Sequence, residues 1–140
     1  MLRRIGAILA VAMAVLAGCS NSSDSPTQAD STPTDTTLVG DAVRGEEIFR
    51  VGVNNAPPCL TCHRTAVNSS GLGLGPNLDG IAERAAGRIE GMTAEDYLRD
   101  SILDPADFKI PGFIVSMYPD YGTDLSAQDL ADLIAFLMTL

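Results

Sequence analysis

The chain has 140 residues and a formal net charge of −9, with Lys109 as the only lysine against eighteen acidic side chains. That length suits one domain, and so acidic a balance excludes the basic footprint that nucleic-acid binding requires. Three cysteines cannot all pair with one another, and no apolar stretch reaches the eighteen or so residues of a membrane-spanning helix.

Arg3 and Arg4 precede a thirteen-residue apolar run, Ile5–Ala17. As a helix it would span ~20 Å, short of a ~30 Å hydrocarbon core, so residues 1–18 read as a secretory signal. The Leu16-Ala17-Gly18-Cys19 stretch resembles a bacterial lipobox, in which the cysteine is acylated and becomes the new N-terminus. That reading assigns the odd thiol, Cys19, to lipidation, and several acyl chains on one residue anchor stably. Cleavage would remove two arginines and no acid, taking the charge from −9 to −11. Residues 19–37 hold no aromatic or large aliphatic side chain and cannot bury enough surface to offset ordering, so the sequence predicts a lipidated tether. The folded domain is expected over 38–140.

Within it, Val43, Ile48, Phe49 and Val51 recur among charges over Gly40–Gly52, predicting a helix with Asp41 as its N-cap. Gly45 inside that helix means either local weakness or close approach of another backbone. Leu78–Ala86 predicts a short helix. Thr93-Ala94-Glu95-Asp96 has the capping-box pattern and opens a helix that Pro105 ends near Leu103. Ser126-Ala127-Gln128-Asp129 repeats the pattern before Leu130, Leu133, Ile134, Leu137 and Leu140, which share one helical face over Ser126–Leu140. Gly112–Tyr118 is briefly strand-like, yet no alternating run is long enough for a sheet. The expectation is an all-α domain with long loops at 54–77 and 105–125. Loops of that length surround functional sites, and so thin a protein core expects something else to fill it.

Cys59-Leu60-Thr61-Cys62-His63 supplies that something. C-x-x-C-H is the haem c attachment pattern: two thiols three residues apart reach two vinyl groups on one porphyrin edge, and the adjacent imidazole faces the iron. A disulfide redox motif needs no histidine and sits in a βαβ context, and a zinc site wants four ligands where this domain offers three. His63 is the only histidine, so a second imidazole on the iron is excluded. A methionine thioether is the alternative and raises the reduction potential. Met138 lies in the last helix and Met92 directly before a helix cap, both packing positions. Met117 lies in the long Gly/Pro loop, where a chain can fold over the opposite haem face, and is the expected ligand.

With these residues in hand, the domain resembles a class I c-type cytochrome over nearly all of 38–140. Gly45 and Phe49 match the Gly-x-x-x-aromatic of that family's N-terminal helix, which implies crossing with the C-terminal helix around Leu133–Leu137 and Phe136. Gly75-Pro76-Asn77-Leu78 matches G-P-x-L, implying that the Pro76 carbonyl accepts the His63 Nδ1–H. Tyr97-Leu98-x-x-Ser101-Ile102-x-x-Pro105 resembles the stretch before the ligand loop in oxidase-associated relatives. Two features depart from the family: Met117-Tyr118-Pro119 replaces Met-Pro, and the lysine ring used for docking by many relatives is missing.

The resemblance implies a cytochrome c fold around one covalent haem c and, in place of catalysis, single-electron transfer. It would serve a respiratory or photosynthetic chain on the extracytoplasmic face of a bacterial membrane. Implied partners are a quinol-oxidising complex, a terminal oxidase or a photosynthetic reaction centre. The chain would act as tethered shuttle or fixed subunit, and its C-terminal half resembles the mono-haem subunit of alternative complex III. The competing expectation is a haem enzyme or gas sensor with a labile or absent sixth ligand.

Overall fold

The computed structural model describes residues 38–140, so the signal, the lipobox with Cys19 and the predicted tether lie outside the described residues. Five α-helices follow in order: α1 (Ala42–Val51), α2 (Ile81–Ala86), α3 (Ala94–Leu103), α4 (Tyr121–Asp124) and α5 (Ala127–Leu137). A 3₁₀ turn spans Cys59–Thr61. Among the described residues β pairing is confined to two isolated bridges, Val53 with Ala56 and Arg64 with Asn77, and the segment 112–118 forms no strand. The fold is all-α.

Caps set the helix starts. The Asp41 carboxylate accepts the Val43 and Arg44 N–H groups, two of the donors that an α-helix leaves unpaired at its start. At α5 the Ser126 hydroxyl accepts the Asp129 N–H while the Asp129 carboxylate accepts the Ser126 N–H, a complete capping box with Asp in the third position. The Thr93 box is half formed: its hydroxyl caps the Asp96 N–H and donates to the Asp96 carboxylate at 2.6 Å. Three features differ from the sequence reading, the first being that α5 ends at Leu137, with Met138 as its C-cap, short of the expected Leu140. Helix α2 begins at Ile81, because Gly80 takes a left-handed φ of 64° and Leu78–Gly80 forms a turn. The segment 105–125, expected as loop, contains the one-turn helix α4.

Helices α1 and α5 pack together and make the base of the domain. Gly45 answers the question raised by its position: a Cβ there would overlap the Asp132 carbonyl oxygen, so only glycine lets the two backbones approach this closely. One turn on, the Phe49 and Phe136 rings meet at 5.4 Å between centroids, tilted by 53°. Leu130, Leu133, Ile134 and Leu137 are buried, as their shared face requires. The seam also holds a polar knot. Asp132 is only 1 % exposed, and its carboxylate accepts from the Asp41 N–H (2.8 Å), Arg44 Nε (2.9 Å) and Gln128 Nε2 (2.7 Å). Arg44 also pairs with Asp129. Burial raises the Asp129 pKa, but the Ser126 hydroxyl and N–H together with Arg44 outweigh it and hold the carboxyl below its usual value. Gln128 Nε2 additionally donates to the Val39 carbonyl at 3.0 Å, fixing the chain's approach to α1. Helix α3 packs on α2, α4 and α5 and closes the other side of the core.

Candidate haem-binding site

The 3₁₀ turn brings Cys59 and Cys62 onto one wall. Their backbones are tied by Cys62 N–H to Cys59 O (3.1 Å) and His63 N–H to Cys59 O (3.0 Å), so the five residues of the motif form one compact corner. Both thiols are free. Burial pushes the Cys59 thiol up to about 11, with the Tyr121 hydroxyl beside it working the other way. A thiol held protonated like this is a poor nucleophile, unlike the low-pKa cysteine of a disulfide oxidoreductase.

The chain after His63 folds back and encloses the imidazole. Leu72 N–H reaches Thr61 O, Gly75 N–H reaches Cys62 O, both at 3.1 Å, and Leu78 N–H reaches Arg64 O at 2.9 Å. This return leaves no room for side chains: a Cβ on Gly71 would overlap the His63 carbonyl, and one on Gly75 would lie 2.6 Å from the ring carbon Cε1. His63 Nδ1 lies 2.9 Å from the Pro76 carbonyl oxygen. A carbonyl can only accept, so Nδ1 carries the proton and Nε2 keeps its lone pair. Burial lowers the His63 pKa, with the Pro76 carbonyl opposing it only in part, and the ring is thereby favoured in the neutral form that metals require.

Above this corner lies a cavity of about 720 Å³ lined by Cys59, Cys62, His63 and Met117. Its floor is the helical core: Phe49, Leu98, Ile102, Leu133 and Leu137. The structure thus brings one of the three candidate methionines to the same chamber as His63. Met92 instead borders a separate cleft with Asp96 and Asp100, and Met138 caps α5.

Two tyrosines also shape the chamber: Tyr121, which sequence reasoning passed over, and Tyr118, which it noted only as a departure from Met-Pro. Tyr121, carried by α4, is buried and donates to the Pro57 carbonyl at 3.1 Å, bracing the approach to Cys59 across 64 positions of sequence. Tyr118, the residue that separates Met117 from Pro119, meets the Tyr121 ring edge-on at 5.1 Å and donates its hydroxyl to Asp124 at 2.6 Å. The departure from Met-Pro is therefore anchored at both its ring and its hydroxyl. No local pattern announces either contact.

A profile of the cytochrome c family matches residues 42–140. This chain belongs to the cytochrome c family. It is 29 % identical over 111 residues to cytochrome c-type cyt cy of Rhodobacter capsulatus, an alignment covering 74 % of this chain and 51 % of that protein. It is 35 % identical over 72 residues to cytochrome c2 of Rhodoblastus acidophilus, covering 50 % of this chain and 60 % of that one. The alignments thus span about half to three-fifths of the length of these curated relatives. The class I resemblance and the all-α fold of the described residues agree with this membership.

The family's cofactor is one covalently attached haem c, and this cytochrome's residues fit it. Two free thiols and a neutral imidazole with an available Nε2 stand on one wall of a mostly apolar chamber. Its volume lies in the upper range of cofactor pockets.

Proposed function

We propose that this cytochrome is a single-electron carrier, with Cys59 and Cys62 as the thioether attachment points and His63 and Met117 as the two axial ligands. Bound haem supplies a one-electron ferric/ferrous couple. The observation that carries the reading is the chamber itself: His63, oriented by Pro76, and Met117, on a loop braced through Tyr118, line one apolar cavity. Two protein ligands would leave no open position for a substrate. A ligand wall tied down by short backbone bonds changes little between oxidation states, which keeps the reorganisation accompanying electron transfer small. The apolar floor formed by Phe49, Leu98 and Leu133 excludes water and, with the thioether of Met117, favours the less charged ferrous state.

The sequence of residues 1–37 and the relatives support a wider setting. Signal cleavage at residue 18 and acylation of Cys19 would hold the 38–140 domain by its 19–37 tether at the extracytoplasmic face of a bacterial membrane. The similarity to cytochromes cy and c2 supports a place in a respiratory or photosynthetic chain. Tethering raises the local concentration of the domain around membrane-bound partners, among them a quinol-oxidising complex such as alternative complex III, a terminal oxidase or a reaction centre. The same arithmetic serves a shuttle and a fixed subunit.

The test is the absorption spectrum of protein matured in a host that attaches haem c. A low-spin ferric spectrum with the weak far-red band of thioether ligation, lost in Met117→Ala, is expected. A high-spin ferric spectrum in the native protein would overturn the electron-carrier reading in favour of a haem enzyme or gas sensor.

A further inference from the structure

The return that encloses His63 is built from a stretch with almost nothing to bury. Residues 71–75 read Gly-Leu-Gly-Leu-Gly, and the two leucines point outward, Leu72 being 65 % exposed and Leu74 40 %. Apolar packing therefore does little to seat this stretch, and its position rests on hydrogen bonds. Two of them are the backbone bonds from Leu72 to Thr61 and from Gly75 to Cys62. The third comes from a side chain.

Arg64, the residue after His63, holds the return at both ends. Its carbonyl accepts the Leu78 N–H at 2.9 Å, and its Nε donates to the Gly71 carbonyl across seven positions of sequence. Its guanidinium lies against Gly73, where a Cβ would stand 3.1 Å from Cζ. Gly73 has a left-handed φ of 70°, a conformation that glycine takes without strain. Among the described residues no other side chain is hydrogen-bonded to the 71–75 backbone. Arg64 also has no carboxylate partner there, since the ion pairs are those of Arg44 with Asp129 and Asp132. The Gly71 bond is charge-assisted, roughly twice as strong as a neutral one. Between the two ends that Arg64 fastens lies Pro76, whose carbonyl faces His63 Nδ1.

We infer that Arg64 is a positioning residue for His63: by seating the 71–75 stretch it keeps the Pro76 carbonyl on Nδ1 and so sets the donor strength of Nε2. This rests on the proposal that the chamber holds haem c. A firm Nδ1–H bond makes the imidazole a stronger donor, which favours ferric iron. Loosening that bond favours ferrous iron, so losing Arg64 should raise the reduction potential. A bare positive charge near the iron has the opposite sign: it disfavours the more positive ferric state, and its removal lowers the potential. The two roles are thus separable.

Two measurements on haem-loaded protein test this, the reduction potential and the hydrogen–deuterium exchange of His63 Nδ1–H by NMR of the ferrous form, with α1 amides as reference. In Arg64→Gln the Nδ1–H should exchange faster while the α1 amides stay as in the native protein. The ferric-to-ferrous ratio at fixed applied potential should fall about two- to tenfold, tenfold being ~59 mV for one electron. Where loss of charge offsets the change in potential, exchange decides: faster supports the assignment, native overturns it. A lowered potential with native exchange marks a bare charge and also overturns it. Arg99→Gln removes an equal charge from the exposed side of α3, and equal acceleration of Nδ1–H there would overturn the assignment too. Should Arg64→Gln fail to accumulate, Arg64→Lys, which keeps the charge and lacks Nε, takes its place. A raised potential with faster exchange then supports the assignment, and native values of both overturn it. Failure of the native protein to bind haem at all would instead sink the reading of the chamber.

Discussion

The ring of His63 is held between Gly75 and the carbonyl of Pro76, with 2.9 Å from Nδ1 to the carbonyl oxygen and no space for a Cβ on the glycine. Gly75→Ala would put a methyl 2.6 Å from Cε1 and 2.9 Å from Nδ1, so either the ring leaves Pro76 or the 71–77 return shifts. The expected cost is about 1–3 kcal/mol of overpacking. Denaturant unfolding of the haem-loaded variant checks it, together with a lowered yield of attached haem.

Met92→Leu and Met138→Leu should leave the ligand-field spectrum unchanged, since neither residue lines the His63 chamber. Met117→Ala should open a position that added imidazole or cyanide can occupy. Titrating all three variants with imidazole separates ligand from packing methionines. Tight binding confined to Met117→Ala is the expected result.

Tyr118→Phe removes the hydroxyl bond to Asp124 but keeps the ring against Tyr121. We expect a small loss of stability, read as a lower denaturant midpoint. The loop carrying Met117 should also yield faster to added imidazole, measurable by stopped-flow absorbance, with no change in the resting spectrum.

At the other pole, Gly45→Ala would press a methyl into the Asp132 carbonyl at the α1/α5 crossing. Helix propensity alone would favour alanine by up to about 1 kcal/mol, so the sign of the change decides whether close approach or propensity governs this position. Destabilisation of 1–3 kcal/mol or so is expected from the overlap, with the reduction potential unmoved because Gly45 does not line the cavity.

The Asp129 carboxyl is depressed in the folded state, so it contributes stability above its unfolded value of 3.8 that is lost as pH falls through the folded value. Thermal unfolding between pH 5 and pH 2 should show this acid limb in the native protein. In Asp129→Asn the limb should be shallower, with a lower starting stability from the weakened box and ion pair.

What the sequence made legible was whatever is local. The caps Asp41, Thr93 and Ser126 each stand next to the apolar periodicity they open, so α1, α3 and α5 could be placed. C-x-x-C-H and G-P-x-L each pack their information into five residues or fewer, and the latter led to Pro76 through a family resemblance. Helix α2 started late because only the left-handed turn at Gly80, invisible in hydropathy, decides where its first residue falls. Helix α4 has four residues and no side-chain cap, so it offers neither period nor signal. Tyr121 and Arg64 escaped notice because their meaning lies in contacts that only the folded chain creates, Tyr121 with Pro57 and Arg64 with Gly71.

Val39 and Asp41 are fastened to Gln128 and Asp132. A tug arriving through Leu38 therefore enters the protein at the helix crossing. Helices α1 and α5 also carry Phe49, Leu133 and Leu137 on the chamber floor, so the seam that pins the start of the domain and the packing beneath His63 and Met117 share one support.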